Sequence, residues 1–145
     1  MIPKFNKSGN LPPGIHNASW EEFTERFGKN DRRKELLKGL EQATLNLKIA
    51  GCTLVYIDGS FISSKEIPGD YDGCWKIDGV NPDLLDPIFL DEDDLANERV
   101  KQKEKYGGEM FPADIPEGMS GKTFLEFFQL DGSTGETKGI IAIEL

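Results

Sequence analysis

The chain has one histidine, His16, and two cysteines, Cys52 and Cys74, among its 145 residues. That scarcity removes most nucleophilic and thiolate-metal chemistry. His16 sits in a proline-rich stretch, so a Ser-His or Cys-His centre has little support, and packing or capping near Ser19 accounts for it. The cysteines are too far apart to make a local metal knuckle and read as reduced, buried thiols. No apolar run approaches the roughly 20 residues that span a bilayer. The first four residues lack the apolar stretch of a secretory signal, so a cytoplasmic protein without membrane contact is expected. Positive charge is also short: Lys and Arg number 17 against 26 Asp and Glu, a formal net charge of −9. Such a surface repels phosphate backbones, which excludes general nucleic-acid binding. A single nucleotide is not excluded, because a divalent cation can bridge its phosphates to carboxylates.

What is present is an ordinary soluble composition, 37% hydrophobic and 30% charged, in a length that suits one domain. Residues 1–18, with Pro3, Gly9, Pro12, Pro13 and Gly14, are expected to form an extended arm on the surface, anchored near Leu11 and Ile15. The single domain then occupies 19–145. Ser19 and Glu22 have capping-box spacing ahead of Trp20, Phe23 and Phe27, which predicts a first helix ending at Gly28. Leu36, Leu37, Leu40, Thr44 and Leu47 form a stripe at helical period and predict a longer helix over 31–50, stopped by Gly51. The short β-branched and aromatic runs 53–57 and 71–77 read as strands. A third helix is expected over about 92–105, with Glu92, Asp93 and Asp94 capping its start and Lys101, Lys103 and Lys105 as a solvated end, the polarity its dipole favours. Two last strands are expected over 123–130 and 139–145, joined by a turn at 131–135.

Between the first two strands the chain runs Ile57, Asp58, Gly59, Ser60, nine residues, then Asp70, Tyr71 and Asp72. A Gly-Ser pair leaving a buried strand can bring bare backbone N–H groups and a small hydroxyl against phosphate oxygens. Two aspartates one residue apart on a strand point to the same face and can share one hard cation, while Tyr71 turns to the core. Lys65, in the intervening loop, is a candidate to reach a phosphate.

This pattern resembles the signature of the polymerase-beta-type nucleotidyltransferase superfamily: Gly-Ser, a gap of nine to thirteen residues, then two acids flanking an apolar residue. The likeness covers 31 to about 112. The segment from Asn10 to His16 also resembles a set of uncharacterised bacterial proteins with the same core. The resemblance implies an α+β fold, a small mixed sheet with helices packed on one face. It further implies Mg2+ or Mn2+ held by Asp70, Asp72 and a third carboxylate, with ATP or another NTP at Gly59 and Ser60 and transfer of a nucleoside monophosphate to a hydroxyl. Chain order favours Glu109 as the third carboxylate, whereas strand context favours Glu126. Small members of the superfamily often serve as antitoxins, so a partner protein such as a toxin is implied as acceptor. The alternative is an inactive binding module in a toxin–antitoxin or phage-defence system. Phe111, Phe124, Phe127 and Phe128 can pack in a core or stack on a base, and core packing is the expectation.

Overall fold

The computed structural model describes residues 1–91, 94, 99–118 and 120–145. Five strands and four helices are defined among them: β1 (Gly14–Ala18), α1 (Trp20–Phe27), α2 (Asp31–Ile49), β2 (Leu54–Asp58), β3 (Tyr71–Trp75), α3 (Val100–Tyr106), β4 (Gly108–Pro112), α4 (Phe124–Phe127) and β5 (Gly139–Glu144). The strands form one mixed sheet in the order β1-β5-β2-β3-β4. The outer pairs β1/β5 and β3/β4 are parallel, and the inner pairs β5/β2 and β2/β3 are antiparallel. This is the small α+β fold expected of the sequence. No helix among the described residues is long and apolar enough to cross a membrane.

Strand alternation divides the sheet into two unlike faces. Val55, Ile57, Tyr71, Trp75, Met110, Ile141 and Ile143 are buried in a single cluster with Phe23 and Phe27 of α1, Leu36, Leu40 and Leu47 of α2, and Tyr106 of α3. The opposite face carries Asp58, Asp72, Cys74, Glu109 and Phe111, and α4 stands on that side against Phe111. Both cysteines are free and buried.

The helix starts follow their caps. Ser19 accepts from the Glu22 amide and Asn30 from the Arg33 amide, satisfying donors that a helix start leaves open. Asp94 accepts from the amides of Lys101 and Gln102 at the start of α3. The earlier part of the helix expected over 92–105 lies largely outside the described residues.

Three expectations need correction. Residues 14–18 are no surface arm but the edge strand β1, and Ile2 and Leu11 ahead of them are buried in the core while Ile15 is exposed. Pro12 and Pro13 conceal this, because they read as an irregular segment, yet they lie just ahead of the strand and take no part in its ladder. His16 accordingly does not cap near Ser19; its Nε2 lies 2.7 Å from the Pro12 carbonyl oxygen. The run 123–130 is not a strand: Thr123 and Glu126 form a reciprocal capping box that opens α4, and this local signal outweighs the β propensity of the phenylalanines. The turn at 131–135 therefore joins a helix, not a strand, to β5.

Arg33 organises the connection from β2 to β3. Its guanidinium is buried without a carboxylate partner among the described residues and donates to the carbonyl oxygens of Phe27, Phe61, Ser63 and Lys65. Burial lowers its pKa, yet an arginine stays protonated. Three carbonyls of the loop and one at the end of α1 are thereby satisfied, and the chain leaving Gly59 is tied to α2. Replacing Arg33 by Met strands these acceptors, so Arg33→Met is expected to lower stability by about 2–4 kcal/mol. Urea denaturation measures the loss, and faster amide exchange at Ser63 and Ser64 would localise it.

Candidate metal centre

The register of three strands assembles the site. Asp58 at the end of β2 pairs with Asp72 of β3, and Asp72 pairs with Glu109 of β4. Because directly opposed residues share a face, these three carboxyls stand side by side across the sheet. Asp70, two residues before Asp72 and just ahead of β3, joins the same face. One carboxylate oxygen from each of Asp70, Asp72 and Glu109 lies within 4.8 Å of the other two. That spacing allows one oxygen-seeking divalent ion to contact all three.

Glycine makes the approach possible. Gly59 follows Asp58 with φ +77 and ψ −162, a conformation nearly restricted to glycine. A Cβ built on Gly59 would collide with the Asp72 carboxylate. Ser60 then opens a short 3₁₀ turn, Ser60–Ile62. On the core side of β3, Gly73 lets the Tyr56 carbonyl and the Met110 sulfur close in, to 2.6 and 2.8 Å from where a Cβ would stand.

The electrostatics are those of acids crowded beyond their counter-charges. Burial first, then the charges of Asp70 and Glu109, push the Asp72 carboxyl up to about 7; Lys103 and Lys138 pull the other way without offsetting them. Asp58 is only 3% exposed, and burial and the neighbouring Asp72 raise its pKa strongly. Its Oδ1 has no hydrogen-bond partner among the described residues. Lys103 forms a 2.7 Å ion pair with Glu109, which raises the lysine's pKa. Lys103 is thus no solvated helix end; it partly neutralises the acids. A buried unpaired carboxyl oxygen, a cluster still short of positive charge and a glycine cradle against Asp72 together fit a hard divalent cation held by Asp70, Asp72 and Glu109.

The structure thus brings together Asp70, Asp72, Glu109 and Gly59. It does not bring Glu126, whose carboxylate is taken up by the Thr123 amide and hydroxyl. Lys65 is exposed and lines a different depression with Phe5 and Arg26. The sequence pattern assigns no part in the site to Asp58, Lys103 or Lys138. Asp58 could have been found from its position at the end of a strand whose neighbour carries acids of matching parity. A groove of about 440 Å³ opens over Asp58, Asp72 and Glu109 and is walled by Phe111, Phe127 and Phe128. These rings lie outside the helix-side core cluster, contrary to the core packing expected of them, and pack against one another at tilted and edge-on angles instead.

The match that places the chain among known proteins runs over residues 3–144, from the buried N-terminal segment to the end of β5. The chain belongs to DUF6932, a family of unknown function. No curated protein and no solved structure matches it. The DUF6932 match covers the whole acidic row and both sheet edges, so the site lies within the family's own domain.

The raised carboxyl pKa values make a signed prediction. A folded-state pKa above the unfolded value means that the native protein binds more protons in the interval between them, so stability falls as pH rises through it. For Asp72 this window runs from about 4 to about 7. Thermal melting of metal-free protein should therefore drop between pH 5 and pH 8, and Mg2+ or Mn2+ should raise the melting temperature more at pH 8 than at pH 5. Asp72→Asn should flatten both dependences.

Proposed function

We propose that the protein is a metal-dependent nucleotidyltransferase that moves a nucleoside monophosphate from ATP or another NTP to a hydroxyl acceptor, forming an O–P bond to the acceptor as the α–β phosphoanhydride bond breaks and pyrophosphate leaves, with the hydroxyl proton passing to solvent. The observation that carries this reading is the convergence of Asp70, Asp72 and Glu109 on one point beside the Gly59 turn. A bound Mg2+ or Mn2+ supplies charge stabilisation for the triphosphate and lowers the pKa of an acceptor hydroxyl. The protein's own part is positional. Asp70, Asp72 and Glu109 hold the cation, Gly59 lets phosphate oxygens approach the backbone at the edge of β2, and Ser60 offers a small hydroxyl beside it. Lys138, on the groove wall, adds a positive charge for phosphate. Asp58, buried beside Asp72, adds to the crowding of acids that a bound cation would relieve. Two free, buried thiols are consistent with a reducing cytoplasm.

Within this reading the acceptor hydroxyl belongs to a small molecule or to a partner protein such as a toxin. A second reading keeps the fold without turnover, as a binding partner in a toxin–antitoxin or phage-defence system. The Lys103–Glu109 ion pair favours it, because an ammonium already satisfies one of the three carboxylates.

Incubation with labelled ATP, Mg2+ and candidate hydroxyl acceptors separates the two. Under the enzymatic reading, Asp70→Asn and Asp72→Asn should each reduce label transfer on the order of 100-fold or more, the scale of losing a central electrostatic contact. Glu126→Gln should leave transfer unchanged. Equal transfer by wild type and Asp72→Asn would refute the enzymatic reading. Tight protein binding without metal-dependent nucleotide binding would establish the second.

A further inference from the structure

The groove over the carboxylate row is polar at one part of its lining and aromatic at another. Its lining includes Asp72, Glu109 and Lys138, but also Phe111, Phe127, Phe128 and Leu130. Covering the sheet explains part of this aromatic wall. The Phe111 ring lies 4.6 Å from the Phe124 ring, centroid to centroid, and has the Arg99 guanidinium 4.2 Å from its centre. Phe128 packs at 5.3 Å from Phe111. Those rings are engaged and form a fixed wall.

Phe127 is different. It meets Phe128 edge-on at 5.8 Å, belongs to no part of the helix-side core and remains 40% exposed. An edge-to-face contact covers at most one of a ring's two faces, so it leaves at least one face of Phe127 open. Gly132 and Gly135, which carry no side chain, also line the groove. An exposed aromatic face on a wall continuous with a metal-type carboxylate cluster suits a ligand with a polyanionic end and a flat apolar end.

We propose that the Phe111–Phe127–Phe128 wall is the seat of the nucleobase, with Phe127 as the stacking ring, when a nucleoside triphosphate has its phosphates at Gly59, Lys138 and the metal. This inference rests on the nucleotidyltransferase reading of the carboxylates and adds the part of the ligand that they cannot recognise. Charge supports the orientation: the acids require a cation between them and the phosphates, while a base carries no net charge and can lie on the uncharged wall. Aromatic stacking accepts any base, with larger faces gaining more contact, so purine nucleotides should be preferred to pyrimidine nucleotides.

The test compares ATP with inorganic triphosphate, which has the phosphates and no base, by titration calorimetry in Mg2+. Wild type should bind ATP more tightly than inorganic triphosphate. Phe127→Ala should narrow that difference by about 5- to 100-fold while affinity for inorganic triphosphate stays within about twofold, which also shows that the variant is folded with its metal centre intact. Phe127→Leu, which keeps apolar bulk without an aromatic face, should behave in the same way. Equal binding of the two ligands by wild type, or an unchanged difference in both variants, would overturn the base seat and leave the metal-phosphate reading standing. Failure of wild type to bind either ligand would overturn that reading and the inference with it.

Discussion

Carboxylates set side by side repel one another, and the register of β2, β3 and β4 forces Asp58, Asp72 and Glu109 into that arrangement. A sheet offers them little escape, because side-chain direction is fixed by strand parity. Much of the surrounding structure answers this constraint. Gly59 removes the side chain that would press on Asp72, Lys103 comes from α3 to pair with Glu109, and Lys138 lies close enough to act on Asp58 and Asp72. The remaining shortage of positive charge appears as carboxyls with raised pKa values and an unpartnered buried oxygen on Asp58. Protonation relieves the repulsion at low pH; a divalent cation would relieve it at neutral pH.

The rest of the fold is arranged to hold that row in place. The helix-side core packs α1, α2 and α3 beneath the opposite face, so the strands carrying the acids are fixed from below by Val55, Ile57, Tyr71 and Met110. Arg33 performs the corresponding task for the loop that leaves Gly59, replacing absent backbone partners with one guanidinium. On the open face, α4 and the phenylalanines form a wall instead of a lid. That wall bounds one side of the groove over the carboxylate row.

Legibility in the sequence followed the range of the forces involved. The α2 stripe and the Ser19 cap are local and were readable, as was the parity that puts Asp70 and Asp72 on one face with Tyr71 turned inward. Glu109 could be favoured over Glu126 only by chain order, because its place beside Asp72 depends on a parallel pairing between β3 and β4 that leaves no local trace. Asp58 is not marked by the sequence, because the β-branched run predicts a strand over 53–57; the strand ends one residue later, and that residue is the acid. β1 is hidden by the prolines just ahead of it and by its pairing with β5, which lies more than a hundred residues onward. The run 123–130 carried two conflicting local signals, and the capping box prevailed over the aromatic pattern. Lys103 reads as a solvated lysine until the fold sets Glu109 beside it.

Diffraction from crystals soaked in Mn2+, with anomalous scattering to identify the ion, tests the central claim most directly. The account predicts a manganese peak within coordination distance, about 2.1–2.3 Å, of oxygens from Asp70, Asp72 and Glu109, with the Lys103 ammonium moved off Glu109. A carboxylate cluster without an anomalous peak at millimolar Mn2+ and pH 8, with Lys103 still paired to Glu109, would contradict it.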